Sequence, residues 1–274
     1  MTEIRLSRFS SSPVLAVAGR LGILADYDLE LTETIVGSSR EQFADLAAGK
    51  YDVVLTSPDN VLRHLGTNPG LRMLRGVDHG LGLSLMSMPG LDTVSDLAGH
   101  RIGVDAPDSG FALVFYEILS AAALGAGSVT LVELGTTPMR TRALAADQCA
   151  ATMLNAGHDV LAERAGANRL VRASQLLGPY LGSVLATAVP AATESASGIT
   201  DFLRAWDEAV AAAMSPANEE LVIAEITTAL RCEVEAATEF YATLLDPTEG
   251  LIPDGAVEGE PLETVRRLRA TYFG

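Results

Sequence analysis

Along the N-terminal part of the chain, segments in which apolar and polar residues alternate singly are followed by segments with apolar residues at helical spacing. Residues 4–9 (I-R-L-S-R-F) and 29–36 alternate singly, which is typical of β-strands, whereas residues 14–24 carry apolar side chains at helical spacing. An amphipathic helix at 38–48 and a short buried strand at 51–55 continue the series. Strand, loop and helix thus repeat three times, which predicts a parallel sheet with right-handed crossovers.

The rest of the chain continues this α/β pattern. Two apolar strands are predicted between residues 71 and 88, around Asp78-His79-Gly80. Further strands are predicted at 101–104, 129–134, 150–154, 170–173 and 185–189, and helices at 198–214, 219–232, 233–245 and 261–272. The segment 245–255 (L-D-P-T-E-G-L-I-P-D-G) is rich in turn residues, so we expect it to pack irregularly.

Composition and charge narrow the functional classes. The 274 residues are 48% hydrophobic and 20% charged, as expected for a folded protein with a sizeable core. The net charge of −16 argues against binding to nucleic acid or to anionic membrane surfaces. Lys50 is the only lysine and lies in a surface-like turn, so we do not expect Schiff-base catalysis. Cys149 and Cys232 have no metal-ligand spacing, and we expect no metal and no cofactor.

Residues 91–110 (L-D-T-V-S-D-L-A-G-H-R-I-G-V-D-A-P-D-S-G) combine a Gly-terminated half-helix, a β-branched strand and a small-residue loop that opens a helix. Related motifs stand before and after it in a consistent order: R-F-S-S-S-P, A-A-G-K-Y-D-V-V-L-T-S-P, A-L-A-A-D and the C-terminal V-R-R-L-R. Together they resemble the type 2 periplasmic-binding-protein superfamily. Within it, they are most similar to the ABC-transporter substrate-binding proteins for nitrate, sulfonates and taurine, in the clan of the hydroxymethylpyrimidine synthases.

The resemblance implies an α/β fold of two lobes with a cleft between them, each lobe a mixed, mainly parallel sheet flanked by helices. Lobe one would comprise residues 1–87 and 188–274, and lobe two residues 88–187. Closure of the cleft would turn the lobes about a hinge near residues 86–91 and 186–190.

Ligands of open α/β sheets bind beyond the carboxyl ends of the strands, so the candidate site residues follow from the strand ends. Hydroxyls, backbone amides and one aromatic wall suit a small polar or anionic organic solute. The candidate ligand-binding residues are Arg8, Phe9, Ser10, Ser11, Ser38, Ser39, Thr56, Ser57, Asp59, Asn60, Asp105, Ser109, Gly110, Phe111, Met153 and Asn155.

Several of these candidates also have a purely structural explanation. The Ser and Thr pairs at 38–39 and 56–57 are good helix N-caps. Carboxylates such as Asp59 and Asp108 are favoured in a first helical turn without any ligand. Arg8 could be a charge on the rim of the cleft or a group that binds a carboxylate, sulfonate or phosphonate.

Two functional hypotheses follow. The first is a binding protein that holds a small solute unchanged, with an ABC permease as its partner if it is exported. The second is a cytoplasmic enzyme of the lyase or decarboxylase type on the same scaffold, with His79, His158 or Asp105 as the acid or base. The Cys-rich run of the hydroxymethylpyrimidine synthases is missing, which argues against that activity.

The two hypotheses differ in location. The N-terminus M-T-E-I-R-L enters the first strand directly, so we expect a cytoplasmic protein as the sequence is written, and a periplasmic or cell-surface protein if a leader has been removed. Ligand identity and oligomeric state stay open at this point.

Overall fold

The computed structural model describes residues 1–68, 70–189 and 198–273. The strands are β1 (Thr2–Arg8), β2 (Leu29–Ile35), β3 (Val53–Thr56), β4 (Arg72–Asp78), β5 (Ser84–Ser87), β6 (Arg101–Val104), β7 (Thr130–Glu133), β8 (Ala151–Leu154), β9 (Asn168–Arg172) and β10 (Ser183–Thr187). The helices are α1 (Pro13–Leu21), α2 (Ile23–Asp26), α3 (Ser39–Ala47), α4 (Pro58–His64), α5 (Gly110–Ala121), α6 (Thr137–Ala145), α7 (His158–Arg164), α8 (Ala173–Leu177), α9 (Ile199–Met214), α10 (Glu219–Leu230), α11 (Val234–Leu245) and α12 (Glu260–Phe273). Short 3₁₀ turns lie at Val94–Leu97, Ala126–Ser128 and Pro216–Asn218.

These strands form two five-stranded sheets, each the centre of one lobe. Lobe one contains the order β2–β1–β3–β10–β4, and lobe two contains β7–β6–β8–β5–β9. In lobe one β1 is parallel to β2 and β3, whereas β10 is antiparallel to β3 and β4. In lobe two β6 is parallel to β7 and β8, whereas β5 is antiparallel to β8 and β9. The predicted α/β fold with mixed sheets is therefore confirmed. The expectation of mainly parallel sheets was wrong, because β10 and β5 enter the sheets antiparallel and make parallel and antiparallel pairs equal in number.

Local sequence explains why the strand-to-helix turns take the form they do. At the first of them Ser12 caps α1 by accepting a hydrogen bond from the backbone N–H of Leu15, and Pro13 occupies the first helical position. The helix ends at Gly22, whose φ of 75° lies in the left-handed region that glycine adopts without strain. The turn before α1 consequently places small polar residues at the carboxyl end of β1.

The chain passes between the lobes at residues 79–83 and again at residues 178–182, and we call these segments the first and second crossing. From the sequence, the boundaries between the lobes were expected later in the chain, after residues 87 and 187. The hinges were expected at 86–91 and 186–190, of which residue 190 lies outside the described residues. The difference arises because β5 pairs in lobe two and β10 pairs in lobe one. Alternation along one segment identifies a strand but carries no information about its partner.

Contacts beyond the two crossings also join the lobes. Helix α12 packs against α4 of lobe one and α5 of lobe two. Arg269 of α12 pairs with Asp59 at 2.8 Å, and Arg63 of α4 pairs with Asp108 of lobe two. The turn-rich segment 245–255 is also ordered between the lobes: Leu251 bridges to Asp78, and the Glu249 carboxylate accepts hydrogen bonds from lobe two. The largest core cluster accordingly includes apolar residues of both lobes.

Candidate functional site

A cavity of about 200 Å³ lies between the lobes, at the carboxyl ends of the parallel strands. Arg8 ends β1, Thr56 ends β3, Asp105 follows β6 and Asn155 follows β8, and all four line the cavity. This is the position that the strand-end rule predicts for a ligand site. We call this cavity the cleft.

Most of the residues proposed from the sequence line this cleft. They are Arg8, Phe9, Ser10, Ser11, Ser38, Ser39, Thr56, Ser57, Asn60, Asp105, Ser109, Gly110, Phe111 and Asn155, together with His158 from the acid–base candidates. Their role in ligand binding remains a prediction, but they are brought to one place from both lobes.

Asp59, Met153 and His79 are not among the residues that line the cleft. Asp59 is fully buried beneath its helix turn and pairs with Arg269. Met153 is buried in the core cluster that both lobes share. The Nδ1 atom of His79 lies 3.0 Å from the carbonyl oxygen of Tyr180, so this ring contacts the second crossing.

Helix N-termini converge on the cleft. Ser12, Ser38 and Ser109 cap α1, α3 and α5 by accepting hydrogen bonds from backbone N–H groups, and each of them lines the cleft. Thr136 precedes α6 and also lines the cleft. The positive ends of four helices therefore face the same space, which favours an anionic group there. The serines act as caps, as the structural explanation proposed, and they lie in the cleft as well.

Arg140 of α6 is the most important lining residue that the sequence analysis missed. Only 1% of its surface is exposed. Its guanidinium donates to the carbonyl oxygen of Met153 from Nε (3.3 Å) and Nη2 (3.2 Å), to that of Gly135 and to Oγ1 of Thr137 (3.2 Å). Every one of these acceptors is uncharged, and within the described residues Arg140 forms no ion pair. Its positive charge is thus buried without a partner carboxylate.

The surroundings of Arg140 keep it in place. Its Cζ atom lies 5.8 Å from the ring centroid of Phe111, which is a cation–π distance. Burial lowers the pKa of Arg140, while the charge of Asp105 raises it. A guanidinium remains protonated in proteins under such influences, so the group is a permanent cation.

Arg8, in contrast, is already neutralised. Its Nε donates to Glu33 at 2.5 Å, and its Nη1 donates to the carbonyl oxygen of Ser10 at 2.6 Å. Of the two possibilities left open by the sequence, this pairing favours a rim charge that orders the serine loop. Of the two arginines that line the cleft, Arg8 has a carboxylate partner, and Arg140 has none among the described residues.

The acid–base candidates have different environments. Burial, followed by the charges of Arg140 and Arg142, lowers the pKa of His158 to about 4, so its ring is neutral near pH 7. The Nδ1 atom of His158 lies 3.1 Å from Oγ1 of Thr141. Asp105 accepts a hydrogen bond of 2.5 Å from Ser109. His158 can therefore serve as a neutral hydrogen-bonding group.

Part of the lining of the cleft is apolar. It consists of Leu81, Ile226, Ala229, Leu230, Phe240, Leu244 and Leu251, which come mainly from α10 and α11. The sequence analysis did not find this wall, because helices that follow the two lobes in sequence give no sign of folding back over the site. The lining of the cleft thus combines hydroxyl groups and helix N-termini with a hydrocarbon wall.

A family model described as "NMT1/THI5 like" matches residues 13–219. This segment contains both crossings and nearly all of the strand ends that form the cleft. The chain belongs to the NMT1/THI5-like family. The resemblance drawn from the sequence motifs is thereby confirmed. No match was found among curated proteins.

Solved structures confirm the fold of this NMT1/THI5-like chain over its whole length. The alkanesulfonate-binding protein SsuA from Xanthomonas axonopodis pv. citri, bound to MOPS, has a TM-score of 0.77 at 16% identity, with 99% of this chain and 91% of that chain covered. The periplasmic aliphatic sulphonate binding protein SsuA from Escherichia coli has a TM-score of 0.76 at 18% identity, covering 100% and 87%. The ligand-binding component of an ABC-type import system from Staphylococcus aureus, with zinc bound, has a TM-score of 0.77 at 14% identity, covering 99% and 92%.

Neither a metal-binding cluster nor a membrane-spanning helix is present in the described part of the chain. Among residues 1–68, 70–189 and 198–273 no group of three or more His, Cys, Asp or Glu side chains is placed to hold a metal ion. In the same residues, none of the helices combines the length and the apolar character that a membrane span requires. Cys149 is buried and Cys232 is half-buried, and both are free thiols.

Proposed function

We propose that this protein binds a small organic anion between its lobes, with the acidic group of the ligand at Arg140 and an apolar group against α10 and α11. The observation that carries the proposal is the buried, unneutralised charge of Arg140 in the wall of the cleft. An isolated ion inside a protein is costly, and an anionic ligand would offset that cost.

The hydroxyl groups and helix N-termini that line the cleft support the same ligand class. Four helices of nine or more residues begin at the cleft, and their N-termini favour negative charge. Ser10, Ser11 and Thr137 add hydroxyl donors beside the caps. A sulfonate or carboxylate accepts hydrogen bonds from several such donors at once, which a neutral solute of the same size cannot do as strongly.

The apolar lining residues support a ligand with a hydrocarbon part. Ile226 and Leu230 of α10 and Phe240 and Leu244 of α11 present side chains to the cleft. Each methylene buried there contributes roughly 0.8 kcal/mol to binding. Two structural relatives carry names that state binding of alkanesulfonates or aliphatic sulphonates, compounds with this combination of groups.

Titration calorimetry with a matched set of compounds tests the proposal. We expect hexanesulfonate and hexanoate to bind, hexanol to bind at least tenfold more weakly, and methanesulfonate to bind more weakly than hexanesulfonate. Substitution Arg140→Gln should weaken hexanesulfonate binding by roughly 30-fold or more, because it removes a charge-assisted hydrogen bond worth about 2 kcal/mol or more.

Arg142→Gln is the matched control. Arg142 lies on the same helix, is exposed and is not among the lining residues, so this variant should retain the wild-type affinity within about twofold. Equal binding of hexanol and hexanesulfonate, or equal losses in the two variants, would overturn the proposal.

We also propose that an ABC permease receives the ligand, since one structural relative is named as a component of an ABC-type import system. This partner requires that the protein lies outside the cytoplasm. Fractionation of source cells, with detection by an antibody, tests the requirement. Recovery from the periplasm or cell surface supports a permease partner, whereas recovery from the cytoplasm alone excludes it and leaves the binding proposal standing.

A further inference from the structure

The two crossings touch each other at Asp78, Gly80 and Gly182. The backbone N–H of Gly182 donates to the carbonyl oxygen of Asp78 at 2.8 Å. The space beside the Gly182 Cα is filled by the Gly80 backbone and by the carboxylate of Asp78, so that a β-carbon there would overlap both. The first and second crossings are therefore in direct contact.

The carboxyl group of Asp78 joins the two crossings. Its Oδ1 atom accepts a hydrogen bond of 2.8 Å from the backbone N–H of Gly80 on the first crossing. Ser183, which follows the second crossing, pairs with Asp78 between β10 and β4, and its side chain lowers the pKa of this carboxyl. Asp78, Gly182 and Ser183 line the cleft, so the same group is in contact with the space that the ligand would occupy.

Asp78 is buried without an opposite charge in contact. Only 1% of its surface is exposed, and it forms no ion pair within the described residues. The charged or titratable groups around it are His79 on the first crossing, Tyr180 on the second and Glu249 in the C-terminal segment, where Leu251 bridges to Asp78. Glu249 is engaged by Arg172 and Ser174, and the ring of His79 contacts the Tyr180 carbonyl.

Two further carboxylates share this neighbourhood, since Asp59 and Asp105 act on Tyr180 together with Asp78. Asp59 has Arg269 as its partner, and Asp105 accepts a hydrogen bond from Ser109. Burial raises the pKa of Asp78 to about 6, which is the result expected for a carboxyl that lacks such a cation.

We propose that Asp78 is a proton-linked positioning residue, and that closure of the lobes around a ligand is accompanied by uptake of a proton from solvent on its carboxyl group. Opening the cleft would hydrate Asp78, because it lines the cleft, and a hydrated carboxyl prefers its ionised form. Closure removes this water, and the loss of hydration favours the neutral form, although the Gly80 N–H continues to donate to Oδ1. This inference rests on the proposed binding function and describes its regulation.

The direction and size of the effect follow from linkage. A conformation that raises the pKa of a carboxyl is favoured by acid, so ligand affinity should rise as the pH falls through about 6. In the open form we take the pKa of Asp78 to be the ordinary value for aspartate, near 3.9. Binding of a permanently ionised sulfonate should then be about tenfold tighter at pH 5 than at pH 7.5. About three quarters of a proton should be taken up per ligand at pH 5.5.

Calorimetry of hexanesulfonate binding in two buffers of different ionisation enthalpy measures this proton uptake directly. We expect uptake near pH 5.5 for the wild-type protein and none for Asp78→Asn. The asparagine is neutral and retains an acceptor for the Gly80 N–H, so the variant should bind about 100-fold more tightly than the wild type at pH 7.5, and its own affinity should be the same at pH 5. Asp59→Asn neutralises a buried carboxyl outside the cleft and should retain the uptake. Equal uptake in wild type and Asp78→Asn would overturn the inference.

Small-angle scattering of the ligand-free protein separates this inference from the proposed function. The wild type should be more compact at pH 5 than at pH 7.5, and Asp78→Asn should have the same radius of gyration at both. This result without binding of any organic anion would contradict the proposed function alone. Anion binding with identical pH dependence in both proteins would contradict the role of Asp78 alone.

Discussion

The charge of Arg140 illustrates what residue-level reasoning could and could not predict. The serines at 10–11, 38–39 and 57 were predicted to lie at the site, because a polar residue after a strand both caps the next helix and faces the carboxyl edge of the sheet. Arg140 lies in a helix with few apolar residues, T-P-M-R-T-R-A-L-A, and such a pattern indicates a solvated surface. Its burial depends on Phe111 and Met153, which are distant in sequence.

Gly182 is required for its small size, and we expect Gly182→Ala to lower the free energy of unfolding by about 1–3 kcal/mol. The added β-carbon would meet the Asp78 carboxylate and the Gly80 backbone, and backbone cannot move aside as a flexible side chain can. Gly127→Ala is the control, because a β-carbon at Gly127 meets no atom within 4 Å. Urea unfolding of both variants measures the difference, and equal stability would show that the crossings are not closely packed.

His158 should make the protein less stable in acid. Its pKa of about 4 in the folded protein lies below the ordinary value of 6.5, so the unfolded chain binds more protons between these values. The free energy of unfolding from this residue therefore falls as the pH drops from 6.5 towards 4. Asp78 acts in the opposite sense, since its raised pKa favours the folded state as pH falls below about 6.

We accordingly expect the Tm of His158→Gln to fall less than that of the wild type when the pH is lowered from 7 to 4.5. Thermal unfolding monitored by circular dichroism at these two values provides the measurement. A Tm decrease in the variant as large as that of the wild type would contradict the assignment of a buried, neutral imidazole.

At the scale of elements, strand and helix positions were predictable and their partners were not. The predicted strand at 185–189 corresponds to β10, and one of the two strands predicted between 71 and 88 corresponds to β5. β10 was expected in lobe two and pairs in lobe one, whereas β5 was expected in lobe one and pairs in lobe two. Pairing is decided by residues far away in sequence. The helical hairpin of α10 and α11 was likewise predicted as two helices, but its place in the wall of the cleft could not be.

Arg269 of helix α12 pairs with the buried carboxylate of Asp59 on α4. We expect Arg269→Gln to lower the free energy of unfolding by about 3 kcal/mol. The substitution leaves Asp59, which is fully buried, without its cation, and one oxygen of this carboxylate already lacks a hydrogen-bond partner among the described residues. Adding Asp59→Asn to Arg269→Gln should restore part of the loss, because the uncompensated charge is then removed.

Chemical denaturation of the two single variants and the double variant measures this coupling. Strict additivity of the losses would contradict an interaction between α12 and the first turn of α4.

At the scale of the whole molecule, the two lobes and the C-terminal helices together bring polar and apolar groups into a single cleft. The N-terminal strand ends supply hydroxyls, lobe two supplies Arg140, and residues after 219 supply the hydrocarbon wall. No single segment contains this arrangement, which is why the motifs indicated the fold and a small ligand while the amphiphilic character of the site emerges only from the assembled structure.

Native mass spectrometry of protein freshly purified from its source tests the central claim most directly, with identification of any small molecule released on denaturation. The account predicts that the wild-type protein carries an organic acid with a hydrocarbon part at one molecule per chain, and that Arg140→Gln carries none, while Arg142→Gln resembles the wild type. A released molecule without an acidic group, or the same occupancy in wild type and Arg140→Gln, would contradict the account.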